Sequence, residues 1–302
     1  MFVSYLQKVY LYHQTKKVVR YLMEKTFTFD NDLTVNRLGY GTMQLPGKGV
    51  WGPSADPDNA PKVIETAIDN GVNFIDTADA YGPFYSNLYL REALQARPDS
   101  HVMVATKVGQ TRQGPDQWTP TGVPAYLRQQ VELNLFTLAL DHLDLLQLHR
   151  VDPTVPFEDQ IGVLKDMQDE GKIKHIGLSQ VSVDQLKAAQ KIAPIASVQN
   201  MYNLSNRKDE DVLNYAESQH IAFIPWFPLA TGQLITNPTL TNIAKKYDAS
   251  PAQIALAWLL KRSDVILPIP GTKSSEHELQ NIHAQSIDLS QADFDALKAL
   301  AD

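Results

Sequence analysis

Four residues able to take part in proton transfer occur in one order along this chain: Asp76, Tyr81 five positions later, Lys107 and His149. Each alone has an ordinary structural reading. An Asp ending a strand caps or pairs, a Tyr beside Gly82 packs, a Lys makes a salt bridge, and a His satisfies a buried contact. Together they suit one kind of chemistry. A phenol has an ordinary pKa near 10, too high for easy proton exchange at neutrality. A neighbouring ammonium stabilises the phenolate and is expected to lower that value. Asp76 would hold and orient Lys107, and His149 would orient an oxygen accepting the proton of Tyr81. That set can protonate a carbonyl oxygen as hydride reaches its carbon, with no metal required.

The elements that must position these residues follow from the apolar pattern. Short strand-like runs cover Leu38–Met43, Asn73–Asp76, Val102–Lys107, Leu143–His149, His175–Ser179, Ser197–Asn200, Ala222–Pro225 and Val265–Ile269. Several are apolar at consecutive positions, as parallel strands buried on both faces should be. Helix-start chemistry lies between them: Asp56-Pro57 as cap and first-turn proline, and capping boxes at Ser182 to Gln185 and Ser250 to Gln253. Leu127, Val131, Leu135 and Leu138 share one helical face. Eight strand–helix units predict a (β/α)8 TIM barrel, whose chemistry sits at the C-terminal strand ends. Asp76, Lys107 and His149 are at such ends. An open doubly wound sheet is the alternative, but no Gly-x-Gly-x-x-Gly follows an early strand. Thr26–Phe29 and Thr34–Asn36 around Asp30-Asn31-Asp32 predict an N-terminal β-hairpin over the barrel bottom.

Composition narrows the class. The chain has 302 residues, 43% hydrophobic and 20% charged, with a net charge of −7. An acidic balance argues against broad nucleic-acid binding. The sequence contains no cysteine, so disulfides, thiol catalysis and thiolate metal sites are excluded. No apolar run reaches membrane-spanning length. A cytoplasmic, monomeric enzyme of small molecules is expected, with no nucleic-acid or membrane partner and no metal. Residues 1–25 are aromatic and basic, without a signal-peptide centre or cleavage site. They are expected to be an extension, with Met23 an alternative start, and 26–302 a single domain.

From residue 33 to the end, the sequence resembles the aldo-keto reductase superfamily. The resemblance implies that Asp76, Tyr81, Lys107 and His149 form its catalytic tetrad and that the cofactor is NADPH/NADP+. Gly177-Leu-Ser-Gln180 is similar to the family segment holding the nicotinamide carboxamide, which implicates Ser179 and Gln180. Gln180 replaces a more common Asn and is one methylene longer. Gln199 matches the glutamine completing that grip, and Trp226 the aromatic ring stacked on nicotinamide, followed by Pro228 and Leu229. Ile269 to Asn281 resembles the adenosine-phosphate segment and implicates Gly271, Thr272, Lys273, His277 and Asn281. Lys273 implies a 2′-phosphate partner at a helix start near Ser275. His277 stands where Arg or Gln is more usual.

Leu38-Gly-Tyr-Gly-Thr-Met-Gln-Leu45 is similar to bacterial pyridoxal reductases (pyridoxine 4-dehydrogenases). A generic carbonyl reductase stands beside that reading. Met43, Trp51, Tyr81 and Trp118 are candidate substrate walls. Two other classes stay open: a cofactor-binding regulatory module resembling potassium-channel β subunits, and a Schiff-base lyase using Lys107.

Overall fold

The computed structural model describes residues 25–30, 32–229 and 236–301. The predicted extension therefore lies outside the described residues except for Lys25, whose carbonyl accepts the Arg37 N–H at 2.9 Å. Asn31 at the predicted hairpin tip is also outside them.

Strands β1 (Thr26–Phe29) and β2 (Leu33–Asn36) pair antiparallel. Alternate residues Phe27, Phe29 and Val35 turn inward and are buried. The Phe29 ring lies 6.4 Å from Phe74 and 5.8 Å from His175. Both partners stand near the beginnings of barrel strands, so the hairpin closes the barrel bottom.

Seven strands make one parallel sheet: β3 (Tyr40–Gly41), β4 (Phe74–Asp76), β5 (Met103–Val108), β8 (Leu143–Leu148), β9 (Ile173–Ser179), β10 (Ile195–Gln199) and β11 (Ala222–Phe223). The expected eighth, Val265–Ile269, contributes a single parallel bridge from Ile266 to Phe223. It still closes the barrel. Phe223 and Val265 to Leu267 exchange backbone bonds of 2.8 Å on one side. On the other, Gly39 and Gly41 donate to the carbonyls of Pro268 and Pro270 at 2.9 and 3.2 Å. Those two prolines lack N–H groups, so this segment cannot complete a regular ladder. The first strand is shorter than expected because the chain winds into a 3-10 turn at Thr42–Gln44. The barrel seam there is tight: a Cβ on Gly271 would stand 2.6 Å from the Gly41 carbonyl oxygen.

Helices α1 (Ala60–Asp69), α2 (Tyr85–Gln95), α3 (Pro124–Leu138), α4 (Phe157–Asp169), α5 (Val183–Ala189), α6 (Glu210–Ser218), α7 (Pro238–Lys246), α8 (Pro251–Arg262), α9 (Ser275–His283) and α10 (Gln291–Lys298) follow in chain order. Both expected capping boxes are present, Ser182 with Gln185 and Ser250 with Gln253. Leu127, Val131 and Leu138 are buried and Leu135 partly so, which sets the inner face of α3. Asp56-Pro57 does not start a helix. Asp56 accepts the Asn59 N–H at 3.2 Å in a turn, and α1 begins at Ala60 with Pro61 in its first turn.

Excursion β6 (Gln110–Gly114) with β7 (Gln117–Pro120) pairs antiparallel at the mouth of the barrel. Polar residues dominate it, so no alternating pattern announces it in the sequence.

One buried acid makes stability pH-dependent. Glu278 on α9 is fully buried, with Oε1 unpartnered and Oε2 accepting from Asn281 at 3.5 Å. Burial pushes its carboxyl up to about 8 from 4.5. The folded state thus holds this proton more tightly than the unfolded state, and stability falls as pH rises from 4.5 towards 8. We expect Glu278→Gln to stabilise the protein at pH 8 by roughly 1–3 kcal/mol. The gain should shrink at pH 5. Equal denaturant midpoint shifts at the two pH values would contradict this origin.

Candidate active site

Successive strand ends deliver the predicted residues to one place. Asp76 ends β4, Lys107 lies near the end of β5, and β4 pairs with β5, setting the two side by side. The Lys107 ammonium donates to Asp76 Oδ1, to the Thr77 carbonyl at 2.8 Å and to the Tyr81 hydroxyl at 3.3 Å. Lys107 is fully buried and Asp76 nearly so. His149 follows β8, which pairs with β5. Its ring meets Tyr81 edge-on at 5.9 Å, and Trp118 lies 6.4 Å from Tyr81 and 6.2 Å from His149.

The electrostatics correct one expectation. Burial is the largest influence on Tyr81 and raises its pKa, while Lys107 opposes it and Asp76 adds to it. The ammonium therefore moderates the phenol without bringing it below its ordinary value. Burial also works against the Lys107 charge, but Asp76 and Tyr81 outweigh it and raise the lysine pKa. Burial, then Lys107, Arg150 and Arg112, holds His149 well below the usual range. At neutral pH the site therefore pairs a neutral phenol with an ammonium and a neutral imidazole. Asp79, two residues before Tyr81, is buried with neither oxygen bonded, and burial raises its pKa strongly.

Two cavities meet at Tyr81. One of about 310 Å³ is lined by Met43, Tyr81, Gln110, Trp118, His149, Arg150, Ser179, Gln199, Trp226 and Phe227. The other, about 200 Å³, runs from Asp76 and Tyr81 past Trp226, Pro228 and Leu229 to Gly271. The second suits a flat heteroaromatic ring: an indole and bare glycine backbone border it, and it leads towards the start of α9. The residues present therefore fit the nicotinamide that the sequence resemblance implies.

The remaining expected residues fall into different environments. Gln199 donates to Asp76 Oδ2 at 2.9 Å. Ser179 accepts from Arg150 at 3.0 Å. Gln180, at φ +56°, lines neither cavity; its Oε1 accepts from Trp226 at 3.0 Å, and its Nε2 donates to Asp209 at 3.2 Å. It thereby fixes the indole. Thr272 accepts from the Tyr40 hydroxyl at 2.7 Å through its carbonyl. Lys273 is exposed and donates to the Pro46 carbonyl at 3.0 Å, across the groove before α9. His277 is exposed, its N–H donating to the capping Ser274 hydroxyl, and Asn281 is buried against Glu278. Met43 and Trp118 line the larger cavity, whereas Trp51 lines neither and lies beyond Arg112, 5.7 Å from its guanidinium.

Several contributors carried no motif. Gln147, buried on β8, donates to Asp76 Oδ2 at 3.2 Å and accepts from Gln199 at 3.3 Å. A glutamine within an otherwise apolar, doubly buried run was a usable signal, because such an amide must find partners. Arg112 donates to the carbonyls of Gly49, Val50, Ala80, Gly114 and Gln117 and stacks 3.5 Å from the Trp118 ring. It ties the β6–β7 excursion to the loop carrying Tyr81. Among the described residues, no cluster of acids and histidines could hold a metal ion, and no helix is long and apolar enough to cross a membrane.

Comparison with known proteins identifies the family. The model of the aldo/keto reductase family matches residues 37–302. An uncharacterized oxidoreductase of Schizosaccharomyces pombe is 46% identical over 264 residues, 87% of this chain and 86% of that protein. Pyridoxine 4-dehydrogenase of Escherichia coli is 41% identical over 286 residues, 93% and 99% of the two chains. The crystal structure of a Klebsiella pneumoniae aldo-keto reductase in complex with NADPH superposes with a TM-score of 0.78 at 26% identity, covering 92% of this chain and 95% of that one.

Proposed function

Because this chain belongs to the aldo/keto reductase family, we propose that it reduces an aldehyde on a small heteroaromatic ring, pyridoxal to pyridoxine being the leading case. The coarser activity follows from membership: it is an oxidoreductase that uses NADP(H) to reduce carbonyl compounds. The observation that carries the finer reading is the meeting of two cavities at Tyr81, one sized for a single-ring substrate and one leading towards α9. The similarity to an E. coli pyridoxine 4-dehydrogenase supports the choice of substrate.

When bound, NADPH supplies the hydride. Tyr81 then gives its proton to the carbonyl oxygen. The Lys107 ammonium, 3.3 Å from the phenol, stabilises the phenolate that results. Asp76 keeps Lys107 charged against the penalty of its burial. Neutral His149 orients the carbonyl oxygen. Trp226, fixed by Gln180, offers its ring to the nicotinamide, and Ser179 and Gln199 its carboxamide partners. Gly271, Thr272, Lys273, His277 and Asn281 would hold the adenosine phosphate end.

Substrate choice is tested by NADPH oxidation against a carbonyl panel containing pyridoxal. A kcat/KM for pyridoxal no higher than for unrelated aliphatic aldehydes would remove it. Cofactor choice rests on Lys273 beside the start of α9. We expect NADPH to bind more tightly than NADH, and Lys273→Ala to narrow the difference by roughly 1.5–3 kcal/mol, the worth of a charge-assisted contact. Equal affinities in the parent, by fluorescence titration, would refute this role.

A further inference from the structure

Arg150 follows His149 beyond β8 and lines the cavity of about 310 Å³ together with Tyr81, His149 and Trp118. Its Nη1 donates to the His149 carbonyl at 2.6 Å and to the Ser179 hydroxyl at 3.0 Å. Among the described residues, neither Nε nor Nη2 meets an acceptor, and no carboxylate pairs with the guanidinium. Several arginines are fully engaged. Arg97, Arg128 and Arg262 pair with Glu or Asp, and Arg112 donates to five carbonyls. Arg150 is thus a partly buried cation that lies 5.6 Å from the Trp226 ring and keeps two donor groups with no acceptor among the described residues.

The surroundings reinforce the charge. Lys107 is balanced by Asp76, whereas among the described residues no carboxylate forms an ion pair with Arg112 or Arg150, and all three cations act on His149. Arg150 and Tyr81 also act on one another. Because Arg150, Tyr81 and His149 line one cavity, an anion held by Arg150 would share it with a carbonyl oxygen placed between Tyr81 and His149.

We infer that Arg150 sets the substrate class of this site: aldehydes and ketones bearing an anionic oxygen next to the carbonyl, as an ortho-phenolate or an α-carboxylate. The Nε and Nη2 edge is the fork that such an oxygen accepts from. The inference rests on the reductase reading above and deepens it. Pyridoxal belongs to the class, because its ring oxygen is ortho to its aldehyde. Neutral aldehydes of equal size would leave the Nε and Nη2 donors desolvated without an acceptor, which costs affinity.

The test compares matched pairs at saturating NADPH, in the parent, Arg150→Met and Arg150→Lys. One pair is 3-hydroxypyridine-4-carboxaldehyde with pyridine-4-carboxaldehyde. The other is phenylglyoxylate with its methyl ester. In the parent, kcat/KM should favour the anionic member of at least one pair by roughly 10- to 100-fold. Which pair shows it distinguishes phenolate from carboxylate. Arg150→Met should collapse that ratio, and Arg150→Lys should restore part of it. NADPH affinity, titrated in each variant, separates a cofactor role. A parent ratio near one in both pairs, or an unchanged ratio in Arg150→Met with weakened NADPH binding, overturns the inference while leaving the reductase reading intact. No reduction of any of the four compounds by the parent would overturn both.

Discussion

Tyr81→Phe is expected to lower single-turnover carbonyl reduction by roughly 10²–10⁴-fold, the usual worth of a positioned acid. The change removes one hydroxyl and little volume from a side chain packed against His149 and Trp118. The barrel should stay folded, and NADPH should still bind, because the proposed cofactor contacts lie on later strands and on α9. Lys107→Met should also cripple turnover, since the phenolate would lose its ammonium. The two losses should not add, because the residues act as one unit. The pH profile gives an independent check. Burial keeps Tyr81 above and His149 below their ordinary values. Neither should titrate near neutrality, so the single-turnover rate should be level between about pH 6 and 9. A Tyr81→Phe enzyme that transfers hydride at near-parental rates would mean that another group supplies the proton.

The parts of this site visible in the sequence are those whose residue type and strand position coincide. Asp76, Lys107 and His149 each end an apolar run, and a parallel barrel gathers such ends on one face. The hairpin was legible for a similar reason, as two short alternating runs flank turn residues. What was not legible depends on neighbours distant in sequence. The amides of Gln147 and Gln199 reach Asp76 only because β4, β5, β8, β9 and β10 follow one another around the sheet. Gln180 could be placed near a cofactor by its motif, yet its amide is taken by Trp226, 46 residues away. The direction of the Tyr81 shift was missed because spacing reveals the ammonium but not the degree of burial that opposes it. The β6–β7 excursion has no apolar period, so Arg112 and its clamp on Trp118 had no signal. The closing segment at Val265–Ile269 was found by its apolar residues, while its prolines explain why it pairs through so few backbone bonds.

Removing the counter-ion of Lys107 should cost more stability than any other change in the site. Asp76→Ala would leave an ammonium fully buried with only the Thr77 carbonyl and the Tyr81 hydroxyl as partners. Breaking one side of a buried ion pair typically costs about 3–5 kcal/mol, because the remaining charge is uncompensated. The amides of Gln147 and Gln199 would lose their shared acceptor as well. Asp76→Asn keeps the shape and one acceptor oxygen, so it should unfold less readily than Asp76→Ala. It removes the charge that keeps Lys107 protonated against burial, so turnover should fall in both variants. The double variant Asp76→Ala with Lys107→Met separates charge from packing. If the stranded ammonium is the cause, the double variant should be more stable than Asp76→Ala alone, with a coupling visible in a double-mutant cycle of denaturant midpoints. Strict additivity of the two losses would place the cost of Asp76→Ala in the broken amide network and the void, with Lys107 already neutral in the folded barrel.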